Sequence, residues 1–149
     1  MGDRKAFLAK AVTEIGKNIG KITEKSRLYE TQAWGQTNQP DFMNQAVEVE
    51  TTLSPQATLK KILDIETAMG RVRGEKWAER TIDIDILLFE NTIVNEPDLQ
   101  IPHPRLAERN FALVPLMEIA GEVEHPVLKM NIEDIYFEST DTLDVFEVE

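Results

Sequence analysis

Ile82-Asp83-Ile84-Asp85-Ile86-Leu87-Leu88-Phe89 alternates isoleucine with aspartate and then runs apolar. A period of two predicts a buried strand over 82–89. Ile82, Ile84 and Ile86 then face the core. Asp83 and Asp85 share the other face, about 7 Å apart by strand rise. The preceding helix is announced by Ser54-Pro55, a cap followed by proline at the first helical position. Leu59, Ile62, Leu63, Ile65 and Met69 carry it to Gly70, a natural stop. Further upstream, residues 22–31 and 43–52 predict two strands joined by a turn-rich loop, 32–41. Asp3 caps a first helix with Phe7, Leu8, Ala11, Val12 and Ile15 on one face, and Gly16 and Gly20 bracket its end. Downstream, Pro102 and Pro104 break the chain. Short helices are predicted at 112–120 and 131–137, and a short strand within 142–148. The order helix, strand, strand, helix, strand is an α+β pattern, a split βαβ arrangement without its opening strand. With no repeat and no linker, a single domain over 1–149 is expected.

The composition narrows the chemistry. Apolar residues make up 42% and charged residues 29% of the 149 positions, enough to bury a core without covalent staples. There is no cysteine, which excludes disulfides and thiolate metal sites, and His103 and His125 are too few for a histidine-rich zinc site. No apolar run is long enough for a membrane helix, and the charged start is not followed by a signal-type apolar stretch. Cytoplasm is the default location. A net charge of −11 opposes general nucleic-acid binding.

The cations are not spread evenly. Arg71, Arg73, Arg80, Arg105 and Arg109 are five of the seven arginines, and Lys76 lies among them. Arginine binds phosphate oxygens through a planar fork, so this segment suits an anion. Next to it stand Asp83 and Asp85, hard oxygen donors of the kind magnesium takes together with water and phosphate. A carboxylate pair beside cations is what a nucleoside triphosphate requires. Trp77, inside the basic loop, fits either the core or the cover of a flat ring. His103, held between Pro102 and Pro104 near Arg105 and Arg109, fits a phosphate donor. His125-Pro126 has no basic company and reads as structural. Phe42 and Phe111, taken singly, read as core.

Lys76-x-Ala78-Glu79-Arg80-x-x-Asp83-Ile84-Asp85-Ile86-Leu87 resembles the signature of the 6-hydroxymethyl-7,8-dihydropterin pyrophosphokinase family of folate synthesis. Tyr29-x-Thr31, Trp34-Gly35, Gln39-Pro40-Asp41-Phe42-x-Asn44 and the segment from Ile65-Glu66 to Gly70-Arg71-x-Arg73 stand in the family's order and spacing. So does Pro102-His103-x-Arg105-x-x-x-Arg109-x-Phe111-x-Leu113-x-Pro115-Leu116, so that the resemblance runs from Gly2 to about residue 136. It implies a ferredoxin-like split βαβ sandwich, an antiparallel sheet with helices on one face. It also implies transfer of pyrophosphate from ATP, the co-substrate, to a pterin. Asp83 and Asp85 would hold two magnesium ions, and Arg71 and Arg80 would steady the transferred group. Arg73, His103 and Arg109 would meet phosphates, and Glu66, Trp77 and Ile86 would help form the ATP pocket. Phe42 and Phe111 would sandwich the pterin, and Thr31, Gln32, Trp34 and Asn44 would read its edge. The expected partners are ATP and a pterin, with no nucleic acid and no membrane.

The family usually opens with an apolar strand and Gly-Ser-Asn-Leu-Gly-Asp, whereas this chain starts Met1-Gly2-Asp3-Arg4. The expectation is a missing first strand, from a miscalled start or a truncation. A monomer is expected, with weak self-association through an unpaired strand edge. A pterin- or nucleotide-binding module without turnover is the competing expectation, opposed by Arg80, Asp83 and Asp85.

Overall fold

The computed structural model describes residues 4–31, 42–70, 82–142 and 144–148. It is a small α+β structure with four α-helices and seven short strands among those residues. The chain divides into two compact units, Met1–Thr23 with Val49–Ile86, and Glu24–Glu48 with Leu87–Glu149. No described helix is long and apolar enough to cross a membrane.

The first unit is built on α1, Arg4–Asn18, and α2, Pro55–Gly70, which pack on each other. Ala11 and Ile15 of α1, with Ile19 beyond its end, are buried. So are Ile62, Ile65 and Met69 of α2, spaced by three and four residues as one helical face demands. Burying each isoleucine contributes roughly 1.5–3 kcal/mol. The start of α2 follows the sequence signal. Ser54 Oγ accepts the Ala57 N–H at 3.0 Å, and Pro55 occupies a position whose N–H has no helical partner to lose. After α1 the chain turns at Gly20, where any Cβ would overlap the Glu50 carbonyl. Thr51 Oγ1 donates to the Ile19 carbonyl at 2.6 Å, closing the same junction.

The two upstream strands differ from expectation, because each is cut in two. The first becomes β1, Lys21–Lys25, and β2, Tyr29–Thr31; the second becomes β3, Phe42–Asn44, and β4, Val47–Glu50. The cuts face each other. Ser26 N–H donates to the Ala46 carbonyl at 2.8 Å, Ala46 N–H donates to Ser26 Oγ at 2.9 Å, and Gln45 Nε2 donates to the Ser26 carbonyl at 2.8 Å. Side chains here take over bonds that a continuous ladder would make between backbones. β1 pairs with β4 as a separate two-stranded sheet.

In the second unit β2 is central. It pairs antiparallel with β3, Tyr29 opposite Asn44, and with β7, Val145–Glu147, Thr31 opposite Val145. α3, Asn110–Ala120, packs on these strands, and α4, Ile132–Phe137, packs on α3. Leu106, in a short 3-10 turn at Leu106–Glu108, joins Leu113, Leu116, Ile132 and Ile135 in the core, with Leu87 and Leu88 against it. The helices near 112–120 and 131–137 and the tail strand were legible in the sequence.

Two further features differ from it. Residues 82–88 do not join a ladder among the described residues. Their alternation survives nonetheless, with Ile82 buried, Ile84 and Ile86 half-buried, and Asp83 and Asp85 exposed. The amide of Ile84 bonds to a side chain and the carbonyl of Leu87 to the His103 N–H, so both groups are paired. A hairpin of β5, Val94–Glu96, and β6, Leu99–Ile101, forms where the sequence suggested only a break. Its two-residue turn is Pro97-Asp98, a turn pair that the prolines further on overshadowed.

Candidate functional site

The first unit carries an acidic group of residues. α2 presents Glu66 at its last full turn, half-buried beside Ile65 and Met69. Its Oε2 accepts the Ile84 N–H at 2.7 Å, a short charge-assisted bond. Ile84 lies between Asp83 and Asp85, so a carboxylate of α2 fixes the backbone from which both exposed aspartates project. Among the described residues no three His, Asp or Glu side chains gather into a ready-made cation cage. The donor set is two exposed carboxylates. It fits a magnesium ion that takes its remaining ligands from water and phosphate oxygens, and fits poorly a metal needing nitrogen or sulfur.

The second unit carries a separate aromatic and polar group. Because Tyr29 lies opposite Asn44, their side chains share a face, and Thr31, two residues on, joins them. That face looks towards α3, since Tyr29 Oη donates to Glu118 Oε1 at 2.8 Å. The same oxygen accepts the Arg27 N–H at 3.1 Å. Burial, then the bond to Glu118, pushes the Tyr29 hydroxyl above its usual range. Thr31 is 1% exposed. Its Oγ1 and Asn44 Nδ2 are both buried with no hydrogen-bond partner among the described residues. A buried polar atom left unpaired costs about 1–3 kcal/mol, so two on one face call for an explanation.

Arg109 stands immediately before α3, and Phe111 is in its first turn. The Arg109 guanidinium carbon lies 5.4 Å from the centre of the Phe111 ring, a cation–π contact that holds both half-buried side chains. His103 lies half-buried in the preceding loop, its N–H bonded to the Leu87 carbonyl at 3.0 Å. His103 Nδ1 accepts the Arg105 N–H at 3.2 Å. An accepting Nδ1 places the proton of the neutral ring on Nε2, which makes that nitrogen a donor. Arg105 pairs with Glu108 at 3.5 Å with both side chains largely exposed, a bond of little energetic weight.

Of the residues singled out in the sequence, the structure joins Glu66 to the Asp83–Asp85 segment in one unit. In the other, Thr31 and Asn44 lie on β2 and β3, and Arg109 and Phe111 stand at the start of α3, which packs on those strands. Gln32, Trp34, Arg71, Arg73, Trp77 and Arg80, and the side chain of Phe42, lie outside the described residues. Sequence reasoning missed Glu118 and Asp141. Glu118 is the one charged residue in the largely apolar helix Asn110–Ala120, and that isolation was a usable signal. Asp141 is one acid among seven after Lys129, and nothing local distinguishes it.

Comparison with known proteins adds the following. Residues 1–121 match the family model of 7,8-dihydro-6-hydroxymethylpterin-pyrophosphokinase (HPPK). The 2-amino-4-hydroxy-6-hydroxymethyldihydropteridine pyrophosphokinase of Aquifex aeolicus is 37% identical over 140 residues, 94% of this chain and 87% of its own. The enzyme of that name from Methylorubrum extorquens is 43% identical over 124 residues, 83% of this chain and 78% of its own. That from Bacillus subtilis is 41% identical over 125 residues, 83% and 75%.

Proposed function

This chain belongs to the 7,8-dihydro-6-hydroxymethylpterin-pyrophosphokinase family, and on that premise we propose that it transfers pyrophosphate from ATP to 6-hydroxymethyl-7,8-dihydropterin in folate biosynthesis. The pterin's hydroxymethyl oxygen bonds to the β-phosphorus of ATP and gives up its proton. The bond from that phosphorus to the α,β-bridging oxygen breaks, and AMP leaves.

The observation that carries the substrate half is the pair of unpartnered buried atoms, Thr31 Oγ1 and Asn44 Nδ2, on the face towards α3. A pterin edge offers both donors and acceptors, and its flat ring needs an aromatic face, which Phe111 supplies. Phe42 would provide the second face, and Gln32 and Trp34 further edge contacts. In the first unit, Asp83 and Asp85 would hold two magnesium ions. When bound, magnesium neutralises phosphate charge and lowers the barrier to attack on phosphorus. Arg71 and Arg80 would steady the moving group, and Arg73, Arg109 and the His103 Nε2–H would meet phosphate oxygens. Ile86 and Trp77 would border ATP. Glu66 serves that site through the Ile84 amide, whatever it also contributes to nucleotide contact. Transfer of this kind depends on in-line placement and charge neutralisation more than on a covalent intermediate.

We further propose one domain over residues 1–149, a ferredoxin-like split βαβ arrangement and a cytoplasmic monomer. The deciding experiment incubates purified protein with ATP, magnesium and 6-hydroxymethyl-7,8-dihydropterin and measures AMP. AMP formed in step with the pterin diphosphate is expected; bound ATP with no AMP would overturn the proposal.

A further inference from the structure

The start of α3 is held from far along the chain. Arg109, at its N-cap, makes no side-chain cap bond. Asn110, the first helical residue, donates its N–H to Asp141 Oδ2 at 2.7 Å, across 31 positions and in a half-buried setting. Asn110 Nδ2 adds a longer contact to the Asp141 carbonyl at 3.4 Å. The Asp141 N–H in turn donates to Ser139 Oγ at 3.2 Å. A carboxylate at a helix N-terminus meets unpaired N–H groups and the positive end of the helix dipole, so the bond is stronger than a neutral one. The first turn also has less internal hold than usual. Pro115 lies inside α3 and has no N–H, so the Phe111 carbonyl gains no helical donor four residues on.

We infer that Asp141 is a positioning residue for pterin binding. It fixes Asn110, and Arg109 and Phe111 stand on either side of that residue. The same tail continues into β7, which pairs with β2 at Thr31↔Val145. One segment thus fastens both the helix start that carries Phe111 and the strand that carries Thr31. Asp141 lies beyond the residues that the family model matches, 1–121. The inference rests on the proposed pterin site.

The test uses the full chain and four forms: wild type, Asp141→Ala, Asp141→Asn and Asn110→Pro. The last removes the donor while keeping proline at a position where helices accept it, after a residue already extended at φ −128° and ψ 98°. Pterin affinity is measured by calorimetry in the presence of a non-hydrolysable ATP analogue, beside initial-rate kinetics and a thermal unfolding scan. Asp141→Ala and Asn110→Pro should each raise the pterin dissociation constant and KM about tenfold, with a smaller change in kcat. Asp141→Asn keeps an accepting oxygen and should recover most of the affinity. Wild-type pterin affinity in Asn110→Pro, or in a cooperatively folded Asp141→Ala, overturns the inference. Failure of the wild type itself to bind pterin would instead sink the proposed function, and Phe111→Ala, expected to weaken binding, marks that difference.

Discussion

Glu66 Oε2 accepts the amide hydrogen of Ile84 at 2.7 Å, and this bond joins α2 to the centre of Asp83-Ile84-Asp85. Glu66→Ala should leave that half-buried N–H unpaired, at a cost of about 1–3 kcal/mol. The same change should loosen the backbone beneath both aspartates. The expected result is a fall of tenfold or more in kcat/KM for magnesium–ATP, that is about 1.4 kcal/mol or more of transition-state stabilisation, with a milder loss in Glu66→Gln, which keeps an accepting oxygen. Steady-state kinetics at several magnesium concentrations check this. Equal losses in the two variants would count against a bond-specific role.

Asp85 is exposed, so Asp85→Ala should change folding stability by no more than about 0.5 kcal/mol. Turnover should nevertheless vanish if the carboxylate holds magnesium. AMP production and thermal unfolding, measured on one preparation, separate these effects. Wild-type-like activity would refute the metal assignment.

The role proposed for Thr31 implies a trade of stability for binding. Its buried Oγ1 has no partner among the described residues, so the near-isosteric Thr31→Val should leave the ligand-free protein as stable or up to about 1 kcal/mol more stable. Pterin affinity should fall in the same variant. A denaturant titration and a binding isotherm test the two halves, and a drop in stability with unchanged affinity would remove Thr31 from the site.

His125 sets a pH dependence. Its ring is buried, and its Nδ1 accepts the N–H groups of Val127 at 3.2 Å and Leu128 at 3.0 Å. Burial pushes its pKa below the ordinary value near 6.5. The unfolded chain therefore takes up the proton first as pH falls. The contribution of the neutral ring is fully present above about pH 6.5 and is lost as pH drops from there towards the lower folded value. In His125→Asn the amide oxygen can still accept these bonds but has no proton to gain. Urea midpoints between pH 7.5 and 5 should fall less steeply in that variant than in wild type.

What the sequence made legible follows local chemistry. Ser54-Pro55 announced α2 because capping and proline preference act within one helical turn. The isoleucine–aspartate alternation assigned the faces of residues 82–86 even though they join no ladder among the described residues. The paired breaks at Ser26 and Gln45-Ala46 were hidden, because they depend on side chains meeting backbone across about 20 positions. Asp141 was hidden for the same reason at 31 positions. Within the site, Thr31 and Asn44 could be named from the family resemblance. That their polar atoms lie buried and unpaired needed the register of β2 against β3.

Gly20 carries one more consequence. Most neighbours in a folded chain meet through side chains, which turn and repack when one of them changes size. Here the end of α1 and the end of β4 meet main chain against main chain, with the Glu50 carbonyl where a methyl group would be. Such a junction adjusts only by moving main chain, which costs more than turning a side chain. Evolution can redecorate the surfaces of α1 and β4, but a side chain at position 20 requires their main chains to move apart.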